Sequence, residues 1–272
     1  MSDRGVLRTI RDLRLRDPIT NVALEESIAR TVSSGAAPPT VRFWRNENSA
    51  IIGRSQTAEN ELILSRCRES GVPVIRRPTG GGTVLHHPNN LNYSIYLPKP
   101  GSGTVEEDSL RLTRPVASAL RRLGVKTRVR SNGLFVDSDK ISGTAQSRRW
   151  GLLHHGTLLL KKADIMDVMG DFLRAQKKDY MELNPNLPSK PAPVTNLDSL
   201  VDGRVRVENL LDDLIDRIAE GLDLNPLFGA VSADESELAF TLAREKYSSR
   251  PWTYRFSRKA KGSETKEPVF RG

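Results

Sequence analysis

Arg76-Arg77-Pro78-Thr79-Gly80-Gly81-Gly82-Thr83-Val84-Leu85-His86 decides how the rest of this chain is read. Residues 72–77 before the glycines have strand character, and Leu91-Asn92-Tyr93-Ser94-Ile95-Tyr96-Leu97 after them alternates as a half-buried strand does. The three glycines therefore link two strands. No Lys-Ser/Thr follows them, so they are not a Walker A loop, and no helix pattern opens after them as a dinucleotide fingerprint needs. A stretch without Cβ atoms can take positive φ and bring its N–H groups against an anion. A bare triglycine is more often a flexible turn. Arg76 and Arg77 before it and His86 after it shift the reading to an oxyanion site, because guanidinium groups offer a fixed two-pronged fork.

A second block, Lys140-Ile141-Ser142-Gly143-Thr144-Ala145-Gln146, follows the turn Asp137-Ser138-Asp139. A lysine at the start of such a strand can point into a cleft and meet a phosphate whose charge grows during attack on it. All four histidines fall in two adjacent pairs, His86-His87 and His154-His155. The second pair interrupts an apolar strand, so one of its members faces inward, either as a backbone-bonded core histidine or as a ligand contact. Neighbouring strand residues point to opposite faces, and neither pair has zinc-site spacing. No nucleophile elbow is present, and the single cysteine, Cys67, reads as a partly buried helical thiol.

Working outward, Asp17-Pro18 starts a helix that runs to about Arg30. Residues 41–44 and 50–53, across Asn46-Glu47-Asn48-Ser49, read as a hairpin. Helices are expected over 59–70, 108–123 (kinked or divided at Pro115), 164–175, 207–218 and 234–247, and strands over 125–129, 134–136, 140–145 and 150–160. Residues 181–196, with four prolines, read as a loop. The 272 residues are 37% hydrophobic and 28% charged, enough for a sizeable core. There is no run of eighteen apolar residues and no apolar signal core, so a cytoplasmic protein without membrane contact is expected. The net charge of +9 favours anionic partners, and part of it lies in a basic tail, 256–272, expected to be mobile.

These blocks, with Asn90-Leu91-Asn92-Tyr93-Ser94, His154-His155-Gly156-Thr157-Leu158-Leu159, Asn21-Val22-Ala23-Leu24-Glu25-Glu26 and Glu245-Lys246-Tyr247-Ser248-Ser249, resemble the lipoate-protein ligase A family in order and spacing over about residues 15–255. The resemblance implies an α/β (α+β) fold, a mixed and largely antiparallel sheet flanked by helices, with one catalytic domain over 1–255. It implies that lipoate and ATP, with Mg2+, give a lipoyl-adenylate. The acyl group then passes to a lysine of a lipoyl-accepting domain, in 2-oxoacid dehydrogenase E2 subunits or the glycine cleavage H protein.

By motif, Lys140 is the expected catalytic contact to the α-phosphate and acyl carbonyl. Arg76, Arg77, Thr79, Gly80, Gly81, Gly82, His86, Asn92, Asn132, Ser142, Gly143, Ala145, His155, Gly156 and Thr157 are the expected substrate and adenylate contacts. The family usually has Asn-Asp where this chain has Asn132-Gly133, so a carboxylate near the nucleotide or metal is missing and metal ligands stay unassigned. The longer members carry an accessory domain for which the sequence after Trp252 has no room, so a separate accessory chain is an expectation. An octanoyltransferase of the same fold is the alternative, although such enzymes place their thioester cysteine elsewhere than Cys67. The biotin-ligase glycine-arginine loop is absent. A basic nucleic-acid binder is the remote alternative, short of the interleaved aromatics it would need.

Overall fold

The computed structural model describes residues 4–162, 170–183, 187–201 and 205–257. Its strands are β1 (Val6–Arg16), β2 (Thr40–Asn46), β3 (Ser49–Ile52), β4 (Val74–Arg76), β5 (Val84–His86), β6 (Asn90–Leu97), β7 (Arg128–Arg130), β8 (Gly133–Val136), β9 (Asp139–Ser147), β10 (Leu152–Leu159) and β11 (Asn225–Phe228). The helices are α1 (Pro18–Ser33), α2 (Ala58–Glu61), α3 (Leu64–Glu69), α4 (Val105–Arg122), α5 (Val207–Leu222) and α6 (Ala233–Leu242), with a short last turn at Arg250–Thr253.

Eight strands form one sheet in the order β11-β1-β2-β6-β10-β9-β8-β7, and β4-β3-β5 form a second, smaller sheet. β1 runs parallel to both β2 and β11, while every other pairing in the large sheet is antiparallel. The expected mixed, largely antiparallel sheet flanked by helices is what forms. α4 and α5 bury their apolar stripes on one face of the large sheet, with Leu112, Val116, Leu120, Leu211, Leu214 and Ile218 at the centre of that core. On the other face α1 packs against β6 and β10, and Val22, Ala23 and Leu24 join it to Ile51 and Ile75 of the small sheet.

The triglycine segment does link two strands, but the second is β5, which the sequence did not reveal, and the expected partner at 91–97 follows as β6 in the other sheet. Several local expectations are corrected. Residues 41–44 and 50–53 are not a hairpin: β2 lies between β1 and β6, and β3 lies between β4 and β5 in the other sheet. Both strands are almost wholly buried, so each needs neighbours on both edges, and the Glu47-Asn48 corner carries the chain from one sheet to the other. β6 is buried along its whole length instead of half-buried, because helices or the small sheet cover both of its faces. The helix over 59–70 is split into α2 and α3 at Leu62 and Ile63, where Ile63 N–H donates to Phe172. α4 runs through Pro115 undivided. The strand expected at 125–129 is β7, three residues later than its predicted start. Residues 164–169 of the helix expected over 164–175, and the basic tail after Ser257, lie outside the described residues. Over 171–175 the chain makes a turn, a bridge from Leu173 to Leu62 and the start of a 3-10 turn at Arg174–Gln176, so the expected helix does not extend to 175. Among those residues, no helix is long and apolar enough to cross a membrane.

Candidate active site

A cleft of about 1060 Å³ opens on the α1 side of the large sheet. Its floor is cross-strand: Trp44 of β2 stands opposite Asn92 of β6, Asn92 opposite Thr157 of β10, Thr157 opposite Gly143 of β9, and Gly143 opposite Gly133 of β8. One wall is the glycine loop, and the facing wall is the proline-rich segment from Leu187 to Asn196. Glu61 anchors that segment, accepting hydrogen bonds from Tyr180 (2.6 Å) and Ser189 (2.5 Å), while the Ser189 hydroxyl oxygen accepts from Thr83 N–H (2.9 Å). Further along, it pairs with β9, where Lys140 N–H donates to Pro193 and Thr195 N–H donates to Lys140.

Of the residues expected from sequence, Arg77, Gly81, Gly82, His86, Asn92, Asn132, Lys140, Gly143, Ala145, His155, Gly156 and Thr157 line this cleft together. Arg76, Thr79, Gly80 and Ser142 do not. Arg76 is fully buried and gives its donors to the carbonyls of Gly53, Arg54, Gln56, Trp252 and Thr253. It staples the carboxy-terminal turn to the small sheet. Arg77 braces the loop from within, donating to Thr79 Oγ1 (2.9 Å) and to the carbonyls of Ile51, Gly80 and Gly82. Burial brings its guanidinium down to about 10, still charged at neutral pH.

The histidine pairs divide as strand alternation requires. His155 faces the cleft, with Nδ1 2.7 Å from Glu25 Oε1 and Nε2 2.8 Å from Thr79 Oγ1, and so ties the glycine loop to α1. His154 points to the opposite face, near Gln146 and Thr113 of α4, and burial pushes it down to about 3. His86 is bracketed by Asn46 and Thr157, and burial likewise brings it to about 3. Burial alone would raise Glu25, but the charge and hydrogen bond of His155, with a hydrogen bond from Ser94, outweigh it and leave its carboxyl below the usual value.

Lys140 stands differently. Its amine lies 5.5 Å from the centre of the Phe135 ring and has no acidic partner among the described residues. Burial lowers its affinity for a proton. Arg130, Lys161 and Lys190 add positive charge to the cleft walls, whereas the only acid among the described lining residues is Glu25, already held by His155 and Ser94. No group of three His, Cys, Asp or Glu side chains converges among the described residues. The donor set therefore suits phosphate oxygens and a carboxylate. It does not fit a protein-held magnesium ion, which prefers carboxylate oxygens.

Glu25, Trp44, Arg130 and the 187–196 segment line the cleft, Asn46 lies behind it on His86, and none of them was expected as a site residue. Glu25 had a signal: Val22, Ile28 and Ala29 stand three and four positions from it in the helix, and an unpaired charge among them would be costly.

A family profile for the lipoyl protein ligase A/B catalytic domain matches residues 17–219. Lipoate-protein ligase LplJ of Bacillus subtilis is 30% identical over 88% of this chain and 71% of its own length. Octanoyltransferase LipM of Carboxydothermus hydrogenoformans is 28% identical over 87% and 94%. Among solved structures, a lipoate-protein ligase A bound with ATP superposes with a TM-score of 0.77 at 25% identity, covering 92% of this chain and 98% of that one. A bipartite lipoate protein ligase of Thermoplasma acidophilum, described with its E2 lipoyl domain, gives 0.78 at 27% identity over 95% and 99%. The glycine loop, the cleft-facing lysine and this agreement of sequence and fold place the chain in the lipoyl protein ligase A/B catalytic-domain family.

Proposed function

We propose that the protein activates lipoate with ATP and ligates it to a lysine of a lipoyl-accepting domain. The lipoate carboxylate attacks the α-phosphorus, pyrophosphate leaves, and the acceptor amine then displaces AMP from the acyl carbonyl. The observation that carries this reading is Lys140: a half-buried lysine amine without an anionic partner among the described residues, within the cleft and beside Gly143. Such a group is stabilised when a phosphate arrives and most when charge builds on it. The surrounding chain supplies orientation: Arg77 fixes the loop, and His155 holds the loop to Glu25. The roughly enclosing walls keep water from a mixed anhydride. The ATP-bound structural relative and the ligase relative support the reading.

The octanoyltransferase relative raises transfer through a cysteine thioester as a second reading. Cys67, the only cysteine, speaks against it. It is 1% exposed, packed on α3 among Ala58, Leu62, Val72 and Phe172, and pushed up to about 11 by burial. A thiol there is neither ionised nor on the cleft wall.

The deciding experiment is lipoate-dependent pyrophosphate release by wild type and Lys140→Ala, with mass spectrometry of the acceptor domain. Lys140→Ala should lose about a hundredfold or more while its circular dichroism stays native. Wild-type rates in that folded variant would remove the reading.

A further inference from the structure

Seven side chains behind the cleft form one continuous hydrogen-bonded chain, and the donors available fix the direction of every link. Arg42 donates to Asp12 (2.6 Å) and to Asn21 Oδ1, since a guanidinium can only donate. Asn21 then presents Nδ2 to Asn46 Oδ1 (2.8 Å), and Asn46 presents Nδ2 to His86 Nδ1 (2.9 Å). His86 must therefore carry its proton on Nε2, which donates to Thr157 Oγ1 (3.0 Å). The Thr157 hydroxyl is left to donate to Asn92 Oδ1 (2.8 Å). The chain ends at Asn92 Nδ2, on the cleft wall in a residue 1% exposed, with no hydrogen-bond partner among the described residues. With Thr157 donating to Oδ1, the Nδ2 side of the amide is the one left without a partner. Two buried N–H donors left unpaired are costly, so the position calls for an acceptor from outside the protein.

The strand register says which part of a ligand would lie there. Gly143 abuts Lys140, since a Cβ built on it would lie 3.8 Å from the amine. From Gly143 across β10 to Asn92 is two strand spacings, about 9.6 Å. Trp44 on β2 is the next residue across the sheet from Asn92, and Val22 and Ile51 also line the cleft. An acyl group with its carboxyl at Lys140 reaches Asn92 with its sixth to eighth carbons, roughly 6–8 Å along at about 1.2 Å per bond of extended chain. In lipoate those carbons bear the ring sulfurs; in octanoate they are methylene and methyl.

We infer that Asn92 is the residue that selects lipoate over octanoate, its Nδ2 donating to a dithiolane sulfur. Sulfur is a weak acceptor, but the competing hydrocarbon offers none, and an analogue that leaves buried donors unpaired is penalised. The inference rests on the reading of the cleft as an acyl-adenylate site and adds the identity of the acyl group.

The test compares kcat/KM for lipoate and for octanoate, each with ATP and an acceptor domain, in wild type, Asn92→Leu and Asn92→Ala. Wild type should prefer lipoate by about tenfold or more, and Asn92→Leu should erase that preference, lipoate losing about tenfold more than octanoate. Asn92→Ala imposes no overpacking and should show the same change where the leucine variant fails to fold. A wild type that charges neither acid defeats the reading of the cleft. A wild type that charges both equally, or variants in which both acids lose by the same factor, overturns the inference and leaves that reading standing.

Discussion

Gly133 is held at φ +143°, and a Cβ there would lie 1.9 Å from the Ser142 carbonyl oxygen and 3.1 Å from Lys140 Cε. The backbone, locally out of register where β8 meets β9, leaves no space for the aspartate that the family pattern leads one to expect. Gly133→Asp should therefore lose roughly 2–4 kcal/mol of stability by combined strain and clash; an unchanged melting temperature would contradict this. A second residue-scale prediction concerns acid. His86 and His154, ordinarily near 6.5, are brought to about 3 by burial. Below pH 6.5 the unfolded chain binds these two protons and the folded chain does not, so stability falls as pH drops from about 6.5 toward 3, by at most roughly 2.7 kcal/mol per pH unit. Urea midpoints should decline between pH 7 and pH 5, and a flat profile would show that both imidazoles titrate normally. The paired histidines, Arg77 and Lys140 were legible because their chemistry is written in adjacent residues. Glu25 and Asn46 were not, since their partners His155 and His86 lie 130 and 40 positions away. Nor can sequence tell that Arg76 spends its fork on backbone carbonyls while its neighbour turns to the glycine loop.

At the scale of elements, periodicity succeeded where one face alone is buried and failed where both are or where charge masks the pattern. α5 was read from its leucine and isoleucine stripe and ends only four residues beyond the expected limit. β1 was missed because Arg8, Arg11 and Arg16 break its alternation; in the structure each is paired, with Glu235, Asp212 and Asp12. α4 begins three residues before its expected start, and the signal was present: Thr104 and Glu107 form a capping box. Pro115 is tolerated inside α4 because the helix is pressed onto α5, where Gly221 lets the ring approach. A Cβ on Gly221 would lie 2.7 Å from Pro115 Cγ. Helix propensity alone would reward Gly221→Ala by about 1 kcal/mol, whereas the clash costs about 1–3 kcal/mol. The variant should be less stable than wild type in urea, and a gain in stability would show that the two helices can slide apart freely.

For the whole molecule, the surplus of nine positive charges is not spread evenly with respect to the cleft. Arg130, Lys161 and Lys190 are exposed on its walls, Lys140 and Arg77 lie within, and Glu25 is the only acid among the described lining residues. Under the proposed function an acceptor domain must bring its lysine to this mouth, so the field there selects for acidic surroundings of that lysine and speeds encounter. Such steering acts between solvated groups and is screened once the Debye length, about 10 Å at 0.1 M salt, contracts toward 3 Å near 1 M. Raising salt from 0.05 to 0.5 M should thus lower kcat/KM for the acceptor by about tenfold or more. The rate at saturating acceptor should change far less, because chemistry occurs on groups already enclosed by protein. Stopped-flow transfer from preformed adenylate at several ionic strengths separates the two. A second-order rate that is independent of salt would mean that apolar contacts, not the basic rim, bring the acceptor to the cleft.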